Sequence, residues 1–398
     1  MRDSTGRRIG RRASVGLVVL VVCLVSTAAG AAAPTSRLAA ARLNRNQAGA
    51  QSQIKTQIVG LVDKGSEGPY HQGVPFPTAD PDEIAPDASA FSGVVVNESW
   101  AQLETARGHY TFGPLNKSLD AVEAYNRGHP HHALRVKLRI WGGFSAPEWA
   151  KTIAGPEVIF NTPTVHGQTT GEWWKHAYGV AWSDFQHALA AKYDPDPLIG
   201  SVAVTSCATL TAEPFTFSPS PVLTAELLGD GWSSAAQEEC LSNAFSDYAG
   251  WQDTPIDYAV NAFSALAPGA RFYHPDPTFS DEILTRCATL RSQVHRSCIL
   301  SNHALTAGSG SATSRQASVY ETIQTLYRRE HGKIAVDFQT NSPDNFGGCQ
   351  AIDIAVAHHA ESVELWPASP IFAGFSAYTP STLYGWARAL RDHQRIDC

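Results

Sequence analysis

Glu213 stands in Thr211-Ala212-Glu213-Pro214-Phe215, shortly after the apolar stretch Ile199-Gly200-Ser201-Val202-Ala203-Val204-Thr205. That pattern reads as a carboxylate carried out of a buried strand onto a loop. In a parallel α/β barrel, catalytic groups sit at the C-terminal ends of strands, which makes Glu213 a candidate general acid. A second carboxylate, Glu364, lies in Ser362-Val363-Glu364-Leu365-Trp366-Pro367 and alternates with apolar neighbours. Two carboxyl groups across one bond suit glycoside hydrolysis. One is protonated to help the leaving oxygen depart and the other is ionised, roughly 5–5.5 Å away for retention or 6.5–9.5 Å for inversion. Glu213 and Glu364 are therefore read as the catalytic pair. Glu98, in Asn97-Glu98-Ser99-Trp100, is read as a substrate-binding acid, and Asp63 is a further candidate. Asp337, between Val336 and Phe338, reads as a buried structural acid.

Aromatic residues supply the other half of a carbohydrate site. Trp100, Trp141, Trp149 and Trp366 each follow a strand end. The C–H-rich faces of pyranose rings bury well on indole, and packing in the core is the competing role for each. Gln339 and Asn302 are added as hydroxyl-binding residues, with His303, His274 and Asp276 as weaker ones. The run His129-Pro130-His131-His132 reads as a solvated loop, and no Cys/His spacing suggests zinc. No metal and no cofactor is expected. A Gly-x-Ser-x-Gly elbow is absent, which argues against a serine esterase. No Gly-x-Gly-x-x-Gly follows the first strand, which argues against dinucleotide binding.

These residues need a frame. The chain has 398 residues, 43% hydrophobic and 17% charged, as in globular proteins. A net charge of -7 offers no basic surplus for phosphates, so nucleic acid is excluded as a partner. Arg7-Arg8 and Arg11-Arg12 precede an apolar run from Val15 to Val25, and Ala29-Gly30-Ala31 follows. This reads as a secretory signal over residues 1–31, too short in its apolar part for a membrane span, with a flexible segment over 32–54 and a catalytic domain over 55–398. Removal of the signal leaves no stable membrane insertion and an extracellular or cell-envelope protein. Six cysteines then remain, an even number that in an exported chain suggests three disulfides. Several pairings are open. Sequential pairing is the preferred one, because Cys287 and Cys298 flank one short segment.

From residue 57 onward, short β-rich runs alternate with helical ones. Strands are predicted at 57–62, 94–97, 134–140, 199–205, 270–273, 298–301, 334–338 and 362–365. Helices are predicted at 115–126, 173–193, 254–267, 314–330, 349–359 and 381–393, with long connections at 155–171 and 216–253. Eight strand–helix units argue for a closed (β/α)8 TIM barrel over an open sheet.

The segment Trp100-Ala101-Gln102-Leu103-Glu104, continued by Gly108, Tyr110 and Phe112, and the later Pro147-Glu148-Trp149, carry a likeness. Here the chain resembles clan A glycoside hydrolases, especially family-42-like β-galactosidases. The resemblance spans about residues 57–370 in order of elements, and is sharp over 94–112, 137–149 and 182–215. It implies a barrel, cleavage of O-glycosidic bonds in an oligo- or polysaccharide, and an acid/base Glu after strand four, which Glu213 matches. It also implies a nucleophilic Glu at the end of strand seven, where this chain has Val336-Asp337-Phe338-Gln339. That departure points to Glu364 as the partner, or to a carbohydrate-binding barrel that has lost catalysis.

Overall fold

The computed structural model describes residues 53–65, 74–161, 166–215, 220–270, 272–342, 346–369 and 373–398. The expected signal, and the expected flexible segment apart from its last two residues, lie outside them. Eight strands pair in parallel and close on themselves. In chain order they are β1 (Gly60–Asp63), β2 (Phe91–Ser99), β3 (Arg135–Trp141), β4 (Ile199–Ala203), β5 (Ile256–Ala259), β6 (Cys298–Leu305), β7 (Val336–Thr340) and β8 (Ser362–Leu365). Sequence neighbours are sheet neighbours, and β8 returns to β1 through Gly60 opposite Ser362. This is the expected (β/α)8 barrel.

Helices cover the outside: α1 (Gly113–Gly128), α2 (His176–Tyr193), α3 (Pro221–Gly229), α4 (Ser234–Asp247), α5 (Pro277–Val294), α6 (Ala317–Arg329), α7 (Gly348–Ala357) and α8 (Pro380–Asp392). Their apolar residues recur at helical spacing. In α1, Leu115, Leu119 and Val122 are buried, and in α6 Val319, Ile323 and Leu326 are. The start of α8 is set by Thr379, whose Oγ1 accepts from the Thr382 amide at 3.2 Å, with Pro380 at the first helical position. No helix among the described residues is long and apolar enough to cross a membrane.

The fifth strand departs from expectation. It runs over Ile256–Ala259, inside the stretch read as a helix, and no strand lies at 270–273 among the described residues, the short hairpin strands there being Ser264–Ala265 and His274–Pro275. Asp257 on this strand is buried. Its charge is answered by Lys137 from β3, a partner 120 positions away in sequence. The two long connections are also structured: the first contains a hairpin of Val158–Asn161 and His166–Thr170, the second contains α3 and α4. Disulfides join Cys207 to Cys240, Cys287 to Cys298 and Cys349 to Cys398, the sequential pairing.

Three buried acids make stability depend on pH. Burial raises Glu98 to about 7, against the hydrogen bond from Ser118, and raises Asp247 to about 7, against the one from Ser206. Burial also raises Asp337 to about 8, although Lys137 pulls it down. Unfolded, such groups release their protons in the ordinary carboxylate range, so between there and about pH 8 the native state holds more protons than the unfolded one. Their stabilisation is full below that window and is lost as pH rises through it. We expect a lower urea midpoint at about pH 8.5 than at about pH 5, and a smaller difference in Glu98→Gln.

Candidate functional site

The chemistry begins inside the barrel. Side chains of a strand alternate between its faces, and in β3 the sequence Arg135-Val136-Lys137-Leu138-Arg139-Ile140 places Lys137 and Arg139 on the inward face. Lys137 Nζ lies 2.7 Å from Asp257 Oδ2 and 2.8 Å from Asp337 Oδ2, and also contacts Glu364 Oε1. Arg139 Nη2 donates to both Glu364 oxygens, at 2.9 and 2.7 Å. Four strands thus contribute to one ion cluster with Lys137 at its centre. Burial alone would raise the Glu364 carboxyl. The cations Arg139 and Lys137, with His303 behind them, hold it well below the usual carboxylate range, so it stays ionised. Asp257, His303 and Asp337 also bring potential metal-ligating atoms within 4.8 Å of one another. The lysine ammonium already meets both of those acids, so the trio reads as part of the ion cluster.

Above this cluster, at the C-terminal mouth, a cavity of about 190 Å³ is lined by Lys64, Arg139, Trp141, Thr211, Ala212, Glu213, His303, Gln339, Asn341 and Trp366. Glu213 is held from both sides. Ala212 packs with Phe76, Trp141 and Phe144, while Phe215 packs among Tyr258, Phe263 and Phe279. Gly143 lets the loop after β3 close on this segment. Its φ is +55°, and a Cβ there would lie 2.1 Å from the Thr209 carbonyl oxygen. The Phe144 amide donates to that same oxygen at 3.0 Å.

Glu213 retains 21% side-chain exposure. Gln339 Nε2 donates to its Oε1 at 3.1 Å, and His303 Nδ1 lies 3.3 Å from the same oxygen. His303 Nε2 lies 4.0 Å from Glu364 Oε1, so a single imidazole separates the two carboxylates. Both His303 ring nitrogens and Gln339 Oε1 are buried without a hydrogen-bond partner among the described residues. Two indoles form the walls. Trp141 Nε1 donates to Asn97 Oδ1 at 3.0 Å, and Trp366 Nε1 donates to the Thr340 carbonyl at 2.9 Å with Lys64 Nζ 3.2 Å from its ring centre.

The structure thus brings Glu213, Gln339, Trp141 and Trp366 together at the cavity, with Glu364 beneath it and fully buried. The other predicted site residues lie elsewhere. Glu98 has the opposite strand parity from Asn97 and accepts from Ser118 of α1 at 3.2 Å, facing the helical layer. Trp100 is fully buried among Trp149, Tyr178, Trp182 and Phe185. Its Nε1 donates to Glu104 Oε2 at 2.7 Å, and Glu104 Oε1 accepts from the Gly108 amide at 2.7 Å. The motif from Trp100 to Gly108 therefore folds the loop after β2. Trp149 borders a separate groove with Phe144 and Pro147 and donates to the Glu104 carbonyl at 3.2 Å. Asn302 is fully buried. Its Nδ2 donates to Val260 O at 2.9 Å, Asn261 Oδ1 at 2.8 Å and Gln316 Oε1 at 3.1 Å, which commits it to joining β5, β6 and the start of α6. Asn302→Leu is expected to cost about 2–3 kcal/mol in urea unfolding, because buried acceptors lose their donor.

Sequence reasoning missed Lys64 and Arg139 at the cavity and rated His303 only as weak. The alternation of charge and apolar residues through β3 was the available signal for Lys137 and Arg139. Nothing local marks Lys64.

No protein-family model matches the chain, and no curated protein matches it. Solved structures do resemble it. An endo-glycoceramidase II from Rhodococcus sp. is 15% identical over 74% of this chain and 77% of its own, with a TM-score of 0.40. An endo-beta-1,4-glucanase from Xanthomonas axonopodis pv. citri is 13% identical over 84% of this chain and 100% of its own, with a TM-score of 0.48. An endogalactoceramidase is 14% identical over 87% and 77%, with a TM-score of 0.43. Likeness at this level says nothing of activity, and the barrel stands on the strand pairing of the chain itself.

Proposed function

We propose that the chain is an exported glycoside hydrolase that takes a carbohydrate at the C-terminal mouth of its barrel, with Glu213 as general acid and then general base. The observation that carries this reading is the partly exposed Glu213 carboxyl on the wall of a cavity that also bears Trp141 and Trp366. A sugar ring against an indole would present its glycosidic oxygen to Glu213, and a proton delivered there lets the leaving group depart neutral. Glu364, ionised below the cavity, supplies fixed negative charge toward the cationic ring that develops above it. Export is supported by the arginine-rich start, the apolar run and the three disulfides. The finer likeness to family-42-like β-galactosidases rests on the loop after β2 and on the position of Glu213.

A second reading, carbohydrate binding without cleavage, is favoured by one observation. Gln339 occupies the tip of β7, where clan A enzymes carry the nucleophile, and an amide forms no glycosyl ester. Turnover of nitrophenyl glycosides and polysaccharides, followed by product analysis, separates the two. Calorimetric binding with no product at high enzyme concentration would overturn the hydrolase and leave the binding barrel. Trp366→Ala is expected to raise KM or Kd by about tenfold under either reading.

A further inference from the structure

We infer that His303 is a positioning residue for the proposed reaction: its imidazole carries the negative charge of Glu364 to Glu213 and so keeps the proton on that acid. The inference deepens the reading of Glu213 as general acid and rests on it. A carboxylic acid ordinarily loses its proton well below neutral pH. A general acid must hold it near the pH at which it works, so a neighbour has to disfavour the ionised form.

Two side chains meet the same oxygen of Glu213. Gln339 Nε2 donates to Oε1 at 3.1 Å, which orients the carboxyl but favours its ionised form. His303 Nδ1 lies 3.3 Å from that oxygen. His303 comes from β6, its side chain is 4% exposed, and it lines the cavity. Its other nitrogen, Nε2, lies 4.0 Å from Glu364 Oε1. Neither ring nitrogen has a hydrogen-bond partner among the described residues, so the charges around the ring decide which one bears the hydrogen.

On the Nε2 side stands Glu364, fully buried and held ionised by Arg139 and Lys137. Asp257 of β5 and Asp337 of β7 also bring a carboxylate oxygen within 4.8 Å of the imidazole, and both meet Lys137 Nζ. Glu364 is a lasting negative charge, whereas Glu213 is the group that takes and gives a proton. A lasting negative charge attracts the positive end of the imidazole dipole. The hydrogen therefore sits on Nε2, and the Nδ1 lone pair faces Glu213. An ionised Glu213 would lie against that lone pair, with the Glu364 carboxylate on the far side of the same ring. In a buried setting this repulsion favours the protonated acid. The proton leaves Glu213 when the glycosidic oxygen takes it, and the attacking water returns one.

The first measurement needs no substrate. Nitrogen NMR of protein with isotope-labelled histidine distinguishes the two neutral tautomers. The His303 signals are those lost in His303→Phe, or in His303→Gln should the first variant fail to fold. The expected result is a protonated Nε2 and a bare Nδ1. The second measurement follows kcat/KM against pH on a nitrophenyl glycoside that the parent cleaves. Either variant is expected to move the alkaline limb down by about one pH unit and to lower kcat about tenfold near neutral pH, with KM within about twofold. On a dinitrophenyl glycoside, whose leaving group needs no proton, the loss should shrink to about twofold. Added to Glu213→Gln, the same substitution should lower kcat by no more than about twofold, because the imidazole acts through that acid. A hydrogen on Nδ1, or on both nitrogens, overturns the inference. So does an alkaline limb that stays in place or moves up in a folded variant. Each of these results leaves the hydrolase reading standing. No cleavage of any glycoside by the parent protein overturns both.

Discussion

Glu213→Gln is expected to lower kcat about 1,000-fold on a glycoside with a poorly stabilised leaving group, with KM nearly unchanged. The substitution is isosteric, so the amide oxygen still accepts from Gln339 and the walls formed by Trp141 and Trp366 stay in place. What it removes is the dissociable proton. A leaving oxygen that must depart as an alkoxide needs that proton, whereas dinitrophenolate departs well without it. On a dinitrophenyl glycoside the loss should therefore shrink to tenfold or less for glycosidic cleavage, roughly the range where acid assistance adds little. The contrast between the two substrates is the measurement that counts. A uniform loss on both would place Glu213 in binding, and no loss on either would remove it from the reaction. Thermal unfolding of the variant should match the parent, since Glu213 stands on a loop anchored by Ala212 and Phe215.

Lys137→Met is expected to destabilise the fold by about 3–5 kcal/mol, the cost of leaving buried charge without its partner. The ammonium lies 2.7 Å from Asp257 and 2.8 Å from Asp337 and contacts Glu364. Arg139 still answers Glu364 in the variant, but it makes no ion pair with Asp257 or Asp337 among those described. Those two acids are then left with no cation between them. The sign of the pH response follows. Burial already raises the Asp337 carboxyl against the pull of Lys137, and without Lys137 it rises further, so the variant gains relative stability as pH falls and loses it as pH rises. Urea midpoints of parent and variant should therefore converge toward about pH 5 and diverge toward about pH 8. Adding Asp257→Asn to Lys137→Met should recover part of the loss, whereas two unrelated sites would simply add. A loss below about 1 kcal/mol, independent of pH, would mean the cluster is solvated. Buried ion clusters seldom raise stability over apolar packing. Here the cluster keeps Glu364 ionised beneath the cavity.

Much of the barrel was legible in the chain. Seven of eight strands fell within a few residues of their observed places, because each is a short apolar run between turn residues and helices of clear period. The fifth was read as part of a helix over 254–267, and the cation that answers its buried Asp257 comes from another strand. Glu213 was legible as an acid after a buried strand. Trp141 and Trp366 were legible as aromatics at strand ends, but so were Trp100 and Trp149, and only packing separates the pairs. Trp100 turned into the layer between the sheet and α2, where Trp182 and Phe185 surround it.

By itself the sequence determined seven of the eight barrel strands, their alternation with helices and the loop that bears Glu213, since each depends on local period and local chemistry. Tertiary structure alone decided which carboxylates meet the cavity. One residue of strand parity sends Glu98 to α1 and Asn97 to Trp141, and ion pairing across strands locks Glu364 beneath the mouth. Burial and pairing are properties of neighbours brought from distant parts of the chain, and they fix the charge a side chain carries.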